Sequence, residues 1–369
     1  MRPPLKAVEA PDAWRARMTD SPNGVAPPRY FVESAHEIAE PLPPLVWLCQ
    51  GLRVARGSLT IIAGFGYSRK TLYAQALGLA VASGKRALGV FSTTQVPVVH
   101  IDYEQGRRIT RERYQRIARA DGVELRDAQL SAVTFPRFKL NDSIAQETFV
   151  RLLEETKAGL VIIDSLRASV AGIDENSSEI REHIDMVGRE VKRVDAAAIL
   201  IHHARKPGEG KAAGRYSLRG SGAIFDAGDS IFVFSGEKGE PTTVEHEKDR
   251  LIGTELPAFG LDSADVEGQG DARWGLRVTH VEGEQLRQGE DAKRAASERL
   301  TRKDRVEKVR EYMATLPNAT WMGNRTNLAK HVGGNHASTM AALVDLVSTG
   351  QLGETITRRT TEAIRWVGP

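Results

Sequence analysis

The residues with the most legible chemistry are Lys70 and Thr71, which open a helical pattern ahead of Leu72. They follow the stretch Gly64, Phe65, Gly66, Tyr67, Ser68 and Arg69. The run before them, Leu59-Thr60-Ile61-Ile62-Ala63, is rich in β-branched residues and reads as a buried strand. Strand, glycine-bearing loop and helix in that order form a phosphate cradle. Backbone N–H groups at the loop and helix start point at an anion, which the helix dipole favours. In such a cradle Lys70 reaches the β/γ-phosphates of a nucleoside triphosphate and the Thr71 hydroxyl sits on Mg²⁺. The spacing departs from G-x-x-x-x-G-K-[ST] at one place: Arg69 stands where the last glycine belongs. Glycine suits a tight bend close to phosphate. Arg69 therefore requires a tolerable φ and a side chain turned outward, and the departure puts hydrolysis in question more than nucleotide binding. The bland alternative is a chance strand–loop–helix that happens to carry Lys-Thr.

Phosphoryl transfer needs positioning and charge neutralisation more than covalent chemistry, and three further parts have candidates. Leu160-Val161-Ile162-Ile163-Asp164 places one carboxylate at a strand end, the edge where open α/β sheets bind ligands; Asp164 is the expected second Mg²⁺ ligand beside Thr71. Val98-Val99-His100-Ile101-Asp102-Tyr103-Glu104 ends another strand in carboxylates. Glu104, past the apolar run, is the preferred base to polarise water. Asp102 is the backup, with capping of the next helix as its ordinary role. Ala198-Ile199-Leu200-Ile201-His202-His203 ends a third strand in paired histidines. Neighbours on a strand face opposite sides and lack the i,i+4 spacing of a helical zinc pair, so one faces the nucleotide and the other the core; His203 is preferred as a γ-phosphate sensor. The loop 204–219 is basic and glycine-rich, and Arg205, Lys206, Lys211, Arg215 and Arg219 are placed to touch phosphates without reading sequence. A solvated surface loop is the equal alternative.

Elements that must position these groups follow from periodicity. Strand patterns at 58–63, 96–103, 158–164, 197–202 and 230–235 alternate with helix patterns at 71–83, 106–121 and 178–194. Near-continuous apolar strands between helices predict an α/β fold, a mostly parallel sheet covered on both faces. Residues 242–280 read as shorter β elements. Residues 1–40 form a Pro-rich arm without sustained period, 41–280 the core, and 281–303 a charged linker of helical character. Residues 304–369 carry three helix patterns and a small hairpin, a winged-helix layout. The stretch 300–369 holds ten Lys/Arg against six Asp/Glu, and the start of its third helix, Asn335 to Thr339, is the expected DNA contact, with protein docking as the alternative.

Over 369 residues, 41% are hydrophobic and 27% charged, and the formal charge is +3. The near-neutral balance neither demands nor excludes nucleic acid, so any basic surface is local. The single cysteine, Cys49, excludes an internal disulfide and a cysteine-cage zinc site. No charged-then-apolar leader is read, and no apolar run reaches membrane-spanning length. The expectation is a cytoplasmic protein without a membrane partner.

The order of phosphate cradle, Glu104, Asp164 and His202-His203, then Leu218-Arg219-Gly220-Ser221-Gly222-Ala223-Ile224-Phe225-Asp226-Ala227-Gly228-Asp229, resembles RecA-like ATPases. It is most similar to plasmid RepA-type hexameric helicases and more distantly to DnaB-like replicative helicases. The resemblance spans about 45–250. It implies ATP and Mg²⁺ as ligands, with Lys70 and Thr71 on phosphate and metal, Asp164 as the Walker B residue, Glu104 as catalytic base and His203 as sensor. It implies a homo-hexameric ring with sites between subunits, and Lys248 and Arg250 in Glu247-Lys248-Asp249-Arg250-Leu251-Ile252-Gly253 as candidates for the cation supplied in trans. It also implies single-stranded DNA bound by the loop 204–219, and replication partner proteins. The expected activity is an ATP-dependent helicase or translocase in plasmid, phage or mobile-element replication. An ATP-switched DNA-binding regulator or loader is the alternative, and a strand-exchange filament ranks last.

Overall fold

The computed structural model describes residues 34–170, 172–173, 179–203, 222–236, 239–267, 274–357 and 360–367. The chain divides into two units at Val46/Trp47. In the first, Ala35–Ile38 (α1) is a single turn closed by a capping box. The Ser34 hydroxyl accepts from the Glu37 amide, and the Glu37 carboxylate accepts from the Ser34 amide at 2.7 Å.

The second unit begins with the short antiparallel pair Trp47–Cys49 (β1) and Val54–Ala55 (β2). Its centre is a nine-stranded sheet. Leu59–Gly64 (β3), Val98–Asp102 (β4), Leu130–Thr134 (β5), Leu160–Asp164 (β6), Ala197–His203 (β7) and Ser230–Ser235 (β8) run parallel. Thr242–Asp249 (β9), Phe259–Glu267 (β10) and Trp274–Val281 (β11) extend it antiparallel, giving the order β11-β10-β9-β8-β3-β7-β6-β4-β5. Apart from edge strand β5, the parallel strands are buried along nearly their whole length, because helices cover both faces. Successive side chains alternate between the two layers. Ile62, Ile162 and Ile199 pack with Tyr73, Leu77 and Val81 of Lys70–Ser83 (α2). Ile61, Ile163 and Leu200 pack on the other side with Phe149 of Ser143–Glu155 (α4) and Ile184 of Ile180–Arg193 (α6).

Two crossover elements fix the site. Helix α2 is buried along most of its length and stops at Gly84, whose φ of 68° ends it in a left-handed cap. Gly106–Asp121 (α3) follows β4 and ends at Gly122 in the same conformation, φ 62°. Gly78 lets α2 sit close to β6: a Cβ there would meet the Ile162 side chain at 2.7 Å. Leu166–Ser169 (α5) and Gly222–Ala227 (α7) are short turns after β6 and before β8. Beyond α7, the Asp229 carboxylate accepts from the Leu59 amide at 3.0 Å and fixes where β3 starts.

From Gly283 the predicted charged linker and the helix pattern after it form one continuous helix, Gly283–Ala314 (α8). Its last turns pack with Arg325–Val332 (α9), His336–Ser348 (α10) and a three-stranded antiparallel sheet. That sheet is ordered Thr320–Met322 (β12), Thr360–Trp366 (β14), Leu352–Thr357 (β13). Val309, Met313, Leu328, Leu343, Leu346 and Ile364 form a core separate from that of the large sheet. Among the described residues no helix is long and apolar enough to cross a membrane.

Candidate nucleotide site

The loop 64–69 leaves the carboxyl end of β3 and runs into α2. Gly64 is required by close approach, since a Cβ would sit 2.4 Å from the Phe234 carbonyl oxygen. Arg69 occupies the left-handed conformation that a glycine would favour, φ 57° and ψ 17°. It is held there by its own side chain. The guanidinium turns away from the loop and donates to the Glu240 carbonyl, to Thr242 Oγ1 at 3.1 Å and to Ser263 Oγ at 3.0 Å. The strand–loop–helix geometry is thus kept without the glycine, by an anchor on β9 and β10. Tyr67 also has positive φ, 68°, and is exposed, as is Gly66; Phe65 and Leu72 are half-buried.

Lys70 is buried. Its Nζ donates to the Phe65 carbonyl at 2.8 Å and to Ser68 Oγ at 3.1 Å, so the amine lies against the inner wall of the loop. Burial pushes its pKa down to about 8, opposed by the nearby carboxylates of Asp164 and Glu104. Asp164 ends β6, fully buried, beside Thr71 at the first turn of α2. Burial raises its pKa to about 6; the Thr71 hydroxyl works against that shift and the charges of Glu104 and Asp102 add to it. Among the described residues neither Asp164 oxygen has a hydrogen-bond partner. A buried carboxylate with both oxygens unsatisfied fits a cation, because a divalent ion would supply the missing partner.

Glu104 and Asp102 have different surroundings. Asp102 is fully buried and accepts from the backbone amides of Glu104, Gln105 and Gly106 at 2.9, 2.8 and 3.1 Å, and from Thr110 Oγ1. Its oxygens are engaged in starting α3. Glu104 stands past the strand and is exposed. It accepts from Ser165 Oγ and lies 3.1 Å from His203 Nε2. The His203 hydrogen bond is the main cause that holds its pKa below the usual carboxylate range, with burial opposing and Ser165 assisting. Ligand atoms of Glu104, Asp164 and His203 all lie within 4.8 Å of one another. His202 faces inward and is buried; desolvation pushes its pKa down to about 4.

Lys248 and Arg250 lie elsewhere. Strand β9 pairs antiparallel with β8, so Lys248 stands opposite Ile231, toward the amino end of the parallel strands and away from the Gly64 edge. Lys248 Nζ donates to the Phe225 and Asp226 carbonyls at 2.6 and 3.2 Å, and desolvation pushes its pKa down to about 8. Arg250 is exposed, carried on a turn that Asp249 fixes through a 2.8 Å ion pair with Arg53. Neither reaches the site of its own chain. Arg205, Lys206, Lys211, Arg215 and Arg219 lie outside the described residues. In the carboxyl-terminal part, Asn335 caps α10 by accepting from the Ser338 amide, and Thr339 is buried on the Gly333 and Asn335 carbonyls.

Two neighbours of the site escape the motif reading. Ser165 directly follows Asp164 and holds Glu104; its signal is only that adjacency. Arg113 lies half-buried on α3 and donates to the Gln105 side chain. Desolvation lowers its pKa and the charges of Asp164 and Asp102 oppose that shift. An arginine one position before inward-facing Tyr114 is the trace it leaves in the sequence.

Residues 26–209 match a protein family described as an AAA domain. That match, together with the strand order and the phosphate cradle, supports the RecA-like P-loop ATPase superfamily. One solved structure, of a DnaB-like replicative helicase described with its interactions with primase, aligns with 13% identity and a TM-score of 0.43. The alignment covers 60% of this chain and 57% of that one, so this chain spans less than two thirds of that relative. No curated protein matches the chain.

Proposed function

We propose that the chain is a ring-forming ATPase that translocates on single-stranded DNA as a helicase, related to the plasmid RepA-type group. The observation that carries this reading is the convergence of Glu104, Asp164 and His203 at the strand edge that also presents Lys70. Three residues at or just past the ends of three strands, separated by up to 99 positions, meet where a phosphate cradle ends. Such a constellation fits water activation beside a triphosphate.

In this reading Thr71 and Asp164 would hold Mg²⁺, which would supply charge neutralisation to the bound triphosphate. Lys70 leaves its contacts on Phe65 and Ser68 to bind the same phosphates. Glu104 orients the attacking water and accepts its proton, and its lowered pKa keeps it ionised for that role. His203 and Ser165 fix the carboxylate, so a change at the γ-position is felt through the His203–Glu104 contact. Exposed Arg250 completes the site of a neighbouring subunit in a hexamer. Lys248, tied to its own α7, supports the turn rather than reaching across. The loop 204–219 contacts DNA, and residues 304–369 form a winged-helix domain.

DNA-stimulated ATP turnover tests the reading. Turnover that rises with oligo(dT) and is lost in Lys70→Ala and in Glu104→Gln supports a motor. Tight Mg·ATP binding without DNA-dependent turnover overturns it in favour of an ATP-switched regulator.

A further inference from the structure

Helix α3 carries six arginines. Three are engaged within the fold: Arg113 on Gln105, Arg116 on Asp265 and Arg119 on the Trp274 carbonyl. The others, Arg107, Arg108 and Arg111, are exposed, and none of their side chains has a hydrogen bond or ion pair among the described residues. Spacings of one, three and four residues put them on one face of the helix. They line two adjoining hollows. The larger, about 590 Å³, runs between α3 and the edge strand β5. Its floor is Leu130, Ala132 and Thr134, the alternate residues on one face of β5; Arg107 and Arg111 wall one side, and exposed Arg126 lies on the other. The smaller hollow brings Arg107, Arg108 and Arg111 together; Glu112 also lines it and Glu124 lines the larger one, so cations outnumber carboxylates in both.

An aromatic residue lines neither hollow but directly follows the floor residue Thr134 in the chain. Phe135 follows β5 with φ 48° and is 60% exposed. Its ring lies over Gly106, the first residue of α3; a Cβ there would sit 2.3 Å from the ring. One side of the ring is thereby fixed against backbone while much of the rest meets solvent. Unpaired guanidinium groups repel one another unless an anion lies between them, and arginine favours the bidentate geometry of phosphate. An exposed ring beside such a row is the platform on which an unpaired base stacks.

We propose that the α3–β5 groove binds the backbone of single-stranded nucleic acid. Its phosphates lie along Arg107, Arg108, Arg111 and Arg126, with a base on Phe135. The groove draws on no residue of 204–219, and the proposal does not depend on hydrolysis. An acidic polypeptide added to the β5 edge is the other class with matching charge, but it gives no use to the exposed ring.

A local probe tests this without interference from DNA bound elsewhere. Cys49 is the only cysteine, buried, with its thiol pKa pushed up to about 12 by burial. An environment-sensitive thiol dye on Ala132→Cys therefore reports the groove floor alone. Titration with oligo(dT) is expected to change the dye signal saturably. Arg107→Glu/Arg111→Glu in that background is expected to weaken binding about tenfold or more near ~100 mM salt, and to lower the log–log salt slope by about 1.4. Phe135→Ala, which keeps every charge, is expected to weaken it about tenfold with the slope unchanged. Arg189→Glu/Arg193→Glu on α6, equal in charge change and drawn from arginines already paired with Glu190 and Glu154, is expected to change neither. No dye response to oligo(dT), or an equal loss in the α6 variant, overturns the proposal. A response to polyglutamate but not to oligo(dT) overturns it too and gives the groove to an acidic protein segment. Absence of DNA-stimulated ATP turnover in the parent chain, with the dye response intact, would sink the motor reading alone.

Discussion

Asp164 and Lys70 are displaced in pKa by the same cause, burial, in opposite directions, and together they set a pH window. The folded chain holds the Asp164 proton up to about 6 against an ordinary value of 3.8. Between those values it binds more protons than the unfolded chain, so this group's contribution to stability falls as pH rises through that interval. Lys70 releases its proton near 8 rather than 10.5. There the unfolded chain binds more, and stability from this group rises with pH between those values. A bound magnesium triphosphate needs Asp164 ionised and Lys70 protonated. Calorimetry with Mg·ATP is therefore expected to show a plateau of affinity between about pH 6 and 8, falling on either side. Asp164→Asn removes a buried charge whose oxygens have no hydrogen-bond partner among the described residues. The nucleotide-free variant is expected to melt higher, by about 1 kcal/mol in stability, and to lose Mg²⁺-dependent binding. Glu104→Gln is expected to retain Mg·ATP binding while turnover drops about 10²–10⁴-fold.

At the scale of elements, the loop between β3 and α2 shows how a rule can be broken and its geometry kept. A non-glycine residue in the left-handed region costs about 1–2 kcal/mol. Three hydrogen bonds from the Arg69 guanidinium, each contributing about 0.5–1.5 kcal/mol, offset that strain. Arg69→Ala keeps the strain and loses the anchor; chemical denaturation is expected to show it destabilised by about 2–3 kcal/mol. Arg69→Gly relieves the strain as well and is expected to lie about 1 kcal/mol closer to the parent. If both behave alike, the backbone is not strained at this position. The same scale separates Asp102 from Glu104. The apolar run marks where β4 ends, but the amides of α3 decide that Asp102 is a cap and leave Glu104 to face His203.

Across the whole molecule, Arg250 lies at the end of the sheet away from Lys70, so a complete site needs a second copy under the proposed function. Arg250→Ala is expected to abolish turnover with Mg·ATP binding within about threefold of the parent, and mixing it with Lys70→Ala chains is expected to restore part of the activity. The carboxyl-terminal core is held by its own pair, Arg325 on Glu354 at 2.6 and 2.5 Å, with the Glu354 side chain 7% exposed. Glu354→Gln is expected to loosen residues 304–369 by about 1–3 kcal/mol in hydrogen exchange, with the nucleotide site unchanged. Helix α10 contains neither Lys nor Arg, and its cap and first turn engage Asn335 and Thr339. A DNA contact there would rest on His336 and Ser338. The sequence alone determined five of the six parallel strands, the helices α2, α3 and α6 and the strand-end carboxylates, because period and strand-end position are local properties of a chain. It left β5, α4 and the antiparallel pairing of β9–β11 unread, since their patterns are short or interrupted. Only the tertiary structure decided that Arg69 is anchored on β9 and β10, that Ser165 and His203 share Glu104, and that three arginines of α3 are engaged while three have no partner among the described residues. Apart from the Arg113–Gln105 bond, these depend on contacts between residues far apart in the chain, which no local pattern encodes.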